Sequence, residues 1–164
     1  LNGVGGGYLK DWDGYVLRST MGAALVVGLW GSGDGPQTPI PADYPFEHAR
    51  RLLQHYLQLR RYYYGEFYPL TEYSRTGDAW LAYELLLPDT GEGAIVALRR
   101  PNSPFARAAL RLHGLNPEQE YTFSDGDGVL LGTATGRIAM DGGIEVELPD
   151  QPDSAVIFFA AAAG

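Results

Sequence analysis

Residues 78–121 decide the fold, and they read DAWLAYELLLPDTGEGAIVALRRPNSPFARAALRLHGLNPEQEY. The segment contains three predicted β-strands, which are residues 79–87, 93–100 and 105–115. The first two end at the sequences PDTG and PNSP, whose residues set turn dihedrals and cannot continue a ladder. In the third strand, Leu110 and Leu112 alternate with Ala109, Arg111 and His113. A period of two with one apolar face predicts a sheet that is packed on one side and wet on the other.

The chain after this segment continues as short strands. They are predicted at residues 120–125, 129–133, 137–140, 144–149 and 154–163. Asp-Gly and Gly-Gly pairs between them suit tight hairpin turns. Seven or eight short strands with a turn every 8–12 residues or so predict a mainly β fold, an antiparallel β-sandwich of two sheets. The last run is apolar on both faces, so we expect it to lie centrally.

The chain before this segment holds one long predicted helix, over residues 46–63. Asp43 is placed to cap it, Pro45 suits its first turn, and Gly65 is a natural stop. Its apolar stripe consists of Phe46, Ala49, Leu52, Leu53, Tyr56 and Tyr63. Residues 15–30 predict a short helix followed by a short buried strand, and the glycine-rich start predicts a loop rather than a phosphate cradle.

Composition excludes several classes of function. The chain has 164 residues, a net charge of −8 and 45% hydrophobic residues, which is typical of one soluble globular domain. Such a negative surface repels phosphate backbones and anionic lipid, so we expect neither nucleic acid nor membrane as a partner. The absence of cysteine excludes disulfides and thiolate chemistry. With no recognisable signal peptide, the cytoplasm is slightly favoured, although these features do not fix the compartment.

Several possible sites have simpler interpretations. His48 and His55 are seven residues apart on one helix, too far to share one metal ion, so we expect no metal and no cofactor. Residues 124–128, SDGDG, resemble the start of a calcium loop but lack its spacing and closing glutamate, which favours a hairpin turn. The cluster RRYYYGEFY (60–68) could stack sugar rings, but buried tyrosines between helix and sheet are the preferred interpretation.

Two carboxylates flank Trp12 in the sequence KDWDGYVLRS. Glycoside hydrolysis needs two carboxyl groups, one of which protonates the leaving oxygen. Asp11 and Asp13, beside an aromatic ring, are of the right type for that acid. Acids in a glycine-rich loop are more often simply solvated, and spacing alone does not decide between the two interpretations.

A family resemblance shifts this balance. From Glu47 to Tyr121 the chain resembles the C-terminal part of α-galactosidases of glycoside hydrolase family 36, the melibiase-type enzymes. The resemblance lies in the order of four segments: YYYGEFYPLTEYS, DAWLAYELLLPDTGEG, ALRRPNSPF and LRLHGLNPEQEY. It implies a (β/α)8 catalytic barrel followed by an antiparallel β-sandwich. Residues 1–64 would then be the end of the barrel, and residues 65–164 the C-terminal sandwich.

The resemblance also implies roles for particular residues. The family's nucleophilic Asp lies upstream of anything in this chain, whereas its acid/base Asp precedes a helix that contains an arginine. KDWDGYVLRSTMG resembles that place, with Arg18 as the arginine and either Asp13 or Asp11, only one of them, as the acid/base residue. Trp12 and Arg18 would contact the substrate. The chain departs from the family pattern in its glycines and in Trp12, so the choice between the two acids stays open.

The sequence therefore predicts the C-terminal part of a retaining α-galactosidase-like enzyme that acts on galactosides. Its partner would be its own missing catalytic barrel, and the sandwich would support that barrel, contribute to a possible homo-oligomer and be inactive alone. Leu1, rather than Met, is consistent with a piece of a longer protein. The alternative is an independent carbohydrate-binding module, whose platform would consist of Trp80, Tyr83 and Tyr121.

Overall fold

The computed structural model describes residues 2–3, 13–26 and 42–162. Its helices are α1 (Gly14–Thr20), α2 (Phe46–Leu59) with a 3₁₀ turn after it (Arg60–Tyr64), and α3 (Gly136–Asp141). Its strands are β1 (Asn2–Gly3), β2 (Leu25–Val26), β3 (Glu66–Pro69), β4 (Leu81–Leu87), β5 (Glu92–Arg99), β6 (Arg107–Leu110), β7 (Glu120–Asp125), β8 (Leu130–Thr135), β9 (Ile144–Glu147) and β10 (Asp153–Ala161). Among the helices in these ranges, none is long and apolar enough to cross a membrane.

The strands form one large sheet and two small ones. Six strands lie in the order β3-β4-β5-β10-β7-β8, and every neighbouring pair is antiparallel. β6 pairs with β9 in a second antiparallel sheet, and β1 pairs with β2 in parallel. The predicted mainly β fold with two antiparallel sheets is confirmed, as is the central place of the last apolar strand.

The middle strands of the large sheet are buried on both faces. On β4, Ala82 and Leu86 face the core shared with β6, β9 and α3, while Leu85 faces the core under α1 and α2. β5 divides in the same way between Ile95 and Val96. Strands buried on both faces are continuously apolar, which explains why LAYELLL and GAIVALR are so poor in charge. The molecule is therefore a sandwich with a helical layer on its outer side.

The predicted long helix is present as α2 and the 3₁₀ turn that follows it. Of the predicted stripe, Ala49, Leu52 and Tyr56 are buried, whereas Phe46 is 51% exposed. His55 and Leu59, which the prediction left out, are buried as well. The expected cap is wrong, because Pro45 occupies the N-cap position and no side chain caps the helix there. Gly65 ends the 3₁₀ turn as predicted, and a Cβ on it would lie 2.1 Å from the carbonyl oxygen of Leu86. The close approach to β4 requires glycine at this position.

Residues 137–140 were predicted as a strand, and this prediction is wrong, because they lie in α3. Thr135 caps the helix through a hydrogen bond from the Ile138 amide, and the helix carbonyl of Ala139 accepts the Leu112 amide. That bond also explains why β6 stops at Leu110, well before the predicted end at residue 115. The predicted alternation of burial survives beyond the strand, since Leu110 and Leu112 are both buried.

Candidate functional site

Asp13 begins α1 and caps it. Its Oδ1 atom accepts hydrogen bonds from the amides of Tyr15 at 2.8 Å and Val16 at 3.2 Å. Such a cap satisfies amides that have no partner within the helix, and the positive end of the helix dipole favours the carboxylate. Asp13 is exposed, whereas Asp11 and Trp12 lie outside the described residues. Of the two predicted acids, the structure thus describes one, and that one has a capping role.

Arg18 lies one and a half turns further along α1 and contacts the sheet. Its Nη1 atom donates to the carbonyl oxygen of Ser154 at 2.9 Å and to the hydroxyl of the same residue at 3.1 Å. Its Nη2 atom lies 3.4 Å from Nδ1 of His55 on α2. Burial lowers the pKa of Arg18, while the carboxylates of Asp153 and Asp127 act in the opposite direction. The predicted substrate arginine is therefore held against β10 and α2.

His55 is buried, with 4% of its surface exposed, and bridges Arg18 to Asp127. Its Nε2 atom lies 2.9 Å from Oδ1 of Asp127. Because a guanidinium can only donate, Nδ1 of His55 must accept from Arg18. The ring proton then belongs on Nε2, where it is donated to the carboxylate of Asp127. These contacts define a single direction of hydrogen bonding from α1 through α2 to the β7–β8 turn.

Asp127 lies in the β7–β8 hairpin turn, between two cationic or donor groups. Arg51 donates from Nε to both carboxylate oxygens at 2.9 Å and also from Nη2. The hydrogen bonds from Arg51 and then from His55 hold the pKa of Asp127 well below its usual range. Gly126 lets the ring approach, since a Cβ there would lie 2.6 Å from Nδ1 of His55. Within the turn, the Asp125 carboxylate accepts two backbone amides, which is the arrangement of a hairpin turn rather than a calcium loop.

We name these four side chains, Arg18, His55, Asp127 and Arg51, the arginine–histidine cluster. Sequence reasoning predicted Arg18 as a site residue and missed the other three. The reason is their separation, because the contacts of Arg18 join residues 37 and 136 positions apart, and His55 is 72 positions from Asp127. Only the pairing of β7 with β10, and the packing of both helices on that sheet, brings them together.

The predicted sugar platform is mostly buried. Trp80 is 7% exposed and donates its indole N–H to the Phe105 carbonyl, and Tyr121 is 3% exposed with its hydroxyl accepting the Asn116 amide. Tyr83 is half-buried and shares a hydroxyl–hydroxyl hydrogen bond with Tyr63. Burial raises the pKa of both tyrosines. The three predicted rings therefore do not form an exposed platform.

A cavity of about 460 Å³ lies beside Trp80 and Tyr83, near the β3 edge of the large sheet. Its walls are mostly apolar, and Phe67 and Tyr73 on its rim are 59% and 89% exposed. Arg100 lines it but donates to the carbonyl oxygens of Ser74 and Thr76. Of the tyrosines in 60–68, Tyr62 is buried and Tyr64 is 84% exposed.

Glu84 is a second buried ionisable group, on the inner face of β4. Its side chain is fully buried, Oε2 accepts the His113 amide at 2.8 Å, and Oε1 has no partner among the described residues. Burial raises its pKa to about 7, although the hydrogen bond from His113 acts in the opposite direction. His113 is half-exposed and stacks on Tyr68 at 4.9 Å between ring centroids.

Comparison with known proteins identifies the fold. No protein-family model and no curated protein sequence matches the chain. Among solved structures, it is similar to the galactosidase domain of the α-galactosidase–sucrose kinase AgaSK, with a TM-score of 0.64, 16% identity and coverage of 90% of this chain and 19% of that one. It is also similar to the GH36 α-galactosidase AgaA from Geobacillus stearothermophilus, a variant in complex with raffinose, with a TM-score of 0.62, 19% identity and coverage of 91% and 19%.

The α-galactosidase from Lactobacillus brevis is a third such structure, with a TM-score of 0.59, 17% identity and coverage of 78% of this chain and 18% of that one. This chain thus spans about a fifth of the length of the solved proteins it matches. At these identities the likeness establishes the fold, and the predicted resemblance is confirmed. The chain has the fold of the C-terminal region of glycoside hydrolase family 36 α-galactosidases.

Proposed function

We propose that this chain is the C-terminal part of a retaining α-galactosidase-like glycoside hydrolase and supports a catalytic barrel that lies upstream. Residues 1–64 would be the end of that barrel and residues 65–164 the supporting sandwich. The observation that carries the proposal is the likeness over 90% of this chain to about a fifth of each α-galactosidase. The substrates named in those structures, raffinose among them, suggest galactosides for the whole enzyme.

The chemistry requires two carboxyl groups about 5 Å apart in a retaining enzyme. In our proposal, a carboxylate of the upstream barrel attacks the anomeric carbon, and Asp11 or Asp13 protonates the departing glycosidic oxygen. The same residue then takes a proton from the water that releases the sugar. Trp12 is proposed to contact the substrate beside it, whereas Arg18, which is bound by Ser154 and His55, is proposed to act through the position of α1. Because this chain would supply only the acid/base member of the pair, we expect it to be inactive alone.

The outer face of the helices supports a role in holding a barrel. Val16 on α1 and Phe46 and Leu57 on α2 are 41%, 51% and 46% exposed, although both helices bury their opposite sides against the sheet. Apolar side chains on the outer face of a helical layer are expected where another layer covers it. We propose that the upstream part of the barrel packs there.

The free edge of the large sheet suggests where a homo-oligomer would form. Three apolar side chains are exposed where β8 begins. They are Val129, just before the strand, and Leu130 and Leu131 within it, which are 60%, 64% and 54% exposed. β8 is an end strand of the sheet, and an apolar edge strand is a template for pairing with another chain. We propose this edge as the oligomer contact of the enzyme.

An assay with an aryl α-galactoside tests the function. The full protein that carries these residues should hydrolyse it, and the present chain alone should not. Asp11→Asn and Asp13→Asn then separate the two acids, because asparagine caps a helix about as well as aspartate but cannot donate the proton. One variant should lose activity and the other should keep it. Turnover by the isolated chain, or full activity in both variants, would contradict the proposal.

An independent carbohydrate-binding module is the second candidate, and the cavity beside Phe67 and Tyr73 favours it. Exposed aromatic faces complement the C–H faces of sugars. Affinity electrophoresis of the chain in a galactose-containing polysaccharide should then show retardation that Tyr73→Ala abolishes. Unchanged mobility of the wild-type chain would exclude this candidate for that class of sugar.

A further inference from the structure

We propose that His55 and Asp127 are positioning residues, which act through Arg18 to fix the orientation of α1 and hence of the acid-bearing end of that helix. The inference rests on the proposed function, because it concerns the residue range that would supply the acid/base group. In this proposal, α2 and the β7–β8 turn contribute to the reaction indirectly, without contacting the substrate.

The first step is that α1 depends on tertiary contacts for its place. It has seven residues, and helices so short are not stable by themselves. Leu17, fully buried in the core under the helices, and Arg18 are adjacent residues that both reach the interior. Leu17 can fix how closely α1 packs, but an apolar contact is not directional. The bonds of Arg18 have direction, so they can define the rotation of the helix about its axis.

The second step is that the arginine–histidine cluster is an ordered chain of donors and acceptors. Arg18 donates to Nδ1 of His55, His55 donates to Asp127, and Asp127 is fixed in turn by the two-nitrogen contact of Arg51. Each member is oriented by the next, in the way that an outer hydrogen bond selects the tautomer and orientation of a histidine. Ser154 adds a second anchor for the same guanidinium on the central strand of the sheet.

The third step is that the hairpin turn is built to receive this histidine. His55 is almost fully buried, and its ring is so close to Gly126 that even a Cβ would collide with it. Gln58, one turn further along α2, donates to the Gly126 carbonyl at 3.3 Å. The position of Asp127 is therefore coupled to that of α2, and through His55 to α1. A shift of the turn would be transmitted to the helix that Asp13 begins.

Two substitutions of His55 test its two hydrogen bonds separately, the one with Arg18 and the one with Asp127. In His55→Asn the side-chain oxygen can take the place of Nδ1 and still accept from Arg18. In His55→Gln the amide nitrogen can take the place of Nε2 and still donate to Asp127, but the acceptor for Arg18 is lost. His48→Gln, an exposed histidine on the same helix, is the matched control for helix propensity.

Steady-state kinetics of the full enzyme with an aryl α-galactoside and amide hydrogen exchange of the present chain provide the readouts. We expect His55→Gln to lower kcat by at least about tenfold with little change in KM, because misplaced catalytic groups lose rate. We also expect it to increase exchange in residues 15–20. His55→Asn, which keeps the acceptor for Arg18 but loses the bond to Asp127, should give kcat and exchange values between those of wild type and His55→Gln.

A merely structural histidine would give a different result. Both variants would then unfold at lower temperature, while kcat, measured where each is fully folded, would equal that of wild type and of His48→Gln; this outcome overturns the proposal. If the wild-type enzyme hydrolyses no galactoside, the proposed function fails, and the exchange data decide alone. Unchanged exchange in residues 15–20 of His55→Gln would then reject the positioning role.

Discussion

Replacing Glu84 by Gln is expected to remove a large pH dependence from the stability of this chain. Glu84 is fully buried in the core between the sheets, and Oε1 has no partner among the described residues. Desolvation disfavours its charged form, which raises the pKa from 4.5 to about 7. The unfolded chain, in contrast, titrates this carboxyl near its ordinary value.

The magnitude follows from linkage between proton binding and folding. A difference of about 2.5 pKa units corresponds to about 3 kcal/mol in the free energy of unfolding. Because the folded form binds the proton more tightly, this contribution is complete below about pH 4.5 and declines as the pH rises. It is lost above about pH 7, where the folded chain carries a buried carboxylate. Glutamine has no proton to lose, so its contribution is constant.

Urea unfolding, followed by tryptophan fluorescence at about pH 5 and about pH 8, measures the effect. Relative to wild type, Glu84→Gln should gain about 2 to 3 kcal/mol in the free energy of unfolding as the pH is raised from the lower to the higher of these values. Glu145→Gln is the matched control, since that carboxyl is 68% exposed on β9 and should show no such change. A difference that is independent of pH would refute the account of Glu84.

Three further changes test single features of the structure by the same unfolding measurement. Gly126→Ala should cost about 1–3 kcal/mol, because its Cβ would collide with the ring of His55, and a neutral result would argue against that close approach. Asp13→Ala should cost about 1 kcal/mol and Asp13→Asn almost nothing, and equal losses would argue against the cap. Arg99→Met should cost several kcal/mol, about 3 or more, because its buried guanidinium serves four backbone carbonyls and only that of Ser103 has another donor, from Gln151, among the described residues; a neutral result would refute this role.

Much of the fold could be predicted because its signals are local. The alternation around Leu110 and Leu112, the PDTG turn after β4 and the stop at Gly65 each depend on a few neighbouring residues. The helix α3 could not be predicted so easily, because four of its residues, RIAM, also suit a strand. What decides there is the Thr135 cap and the Leu112 amide, and the second of these comes from a distant part of the chain.

The candidate site was less accessible to sequence reasoning. Arg18 was predicted from a family pattern, but its partners on α2 and β10 carry no common motif. Glu84 lies within an apolar run and gives no sign of whether it faces solvent or the core, since both faces of β4 are covered. Buried polar groups of this kind depend on the packing of layers that are far apart in sequence. The deciding information lies in the topology rather than in any short stretch of residues.

The central place of β10 has a consequence for biosynthesis. Residues 153–161 separate β5 from β7, so the two halves of the large sheet cannot join until those residues have left the ribosome. Until then a nascent chain presents two unpaired strand edges, of which the β5 edge belongs to an apolar strand that is buried almost throughout. A nascent chain that is held before residues 153–161 emerge would therefore be prone to association, and chaperones that shield exposed strands would be needed most at that stage.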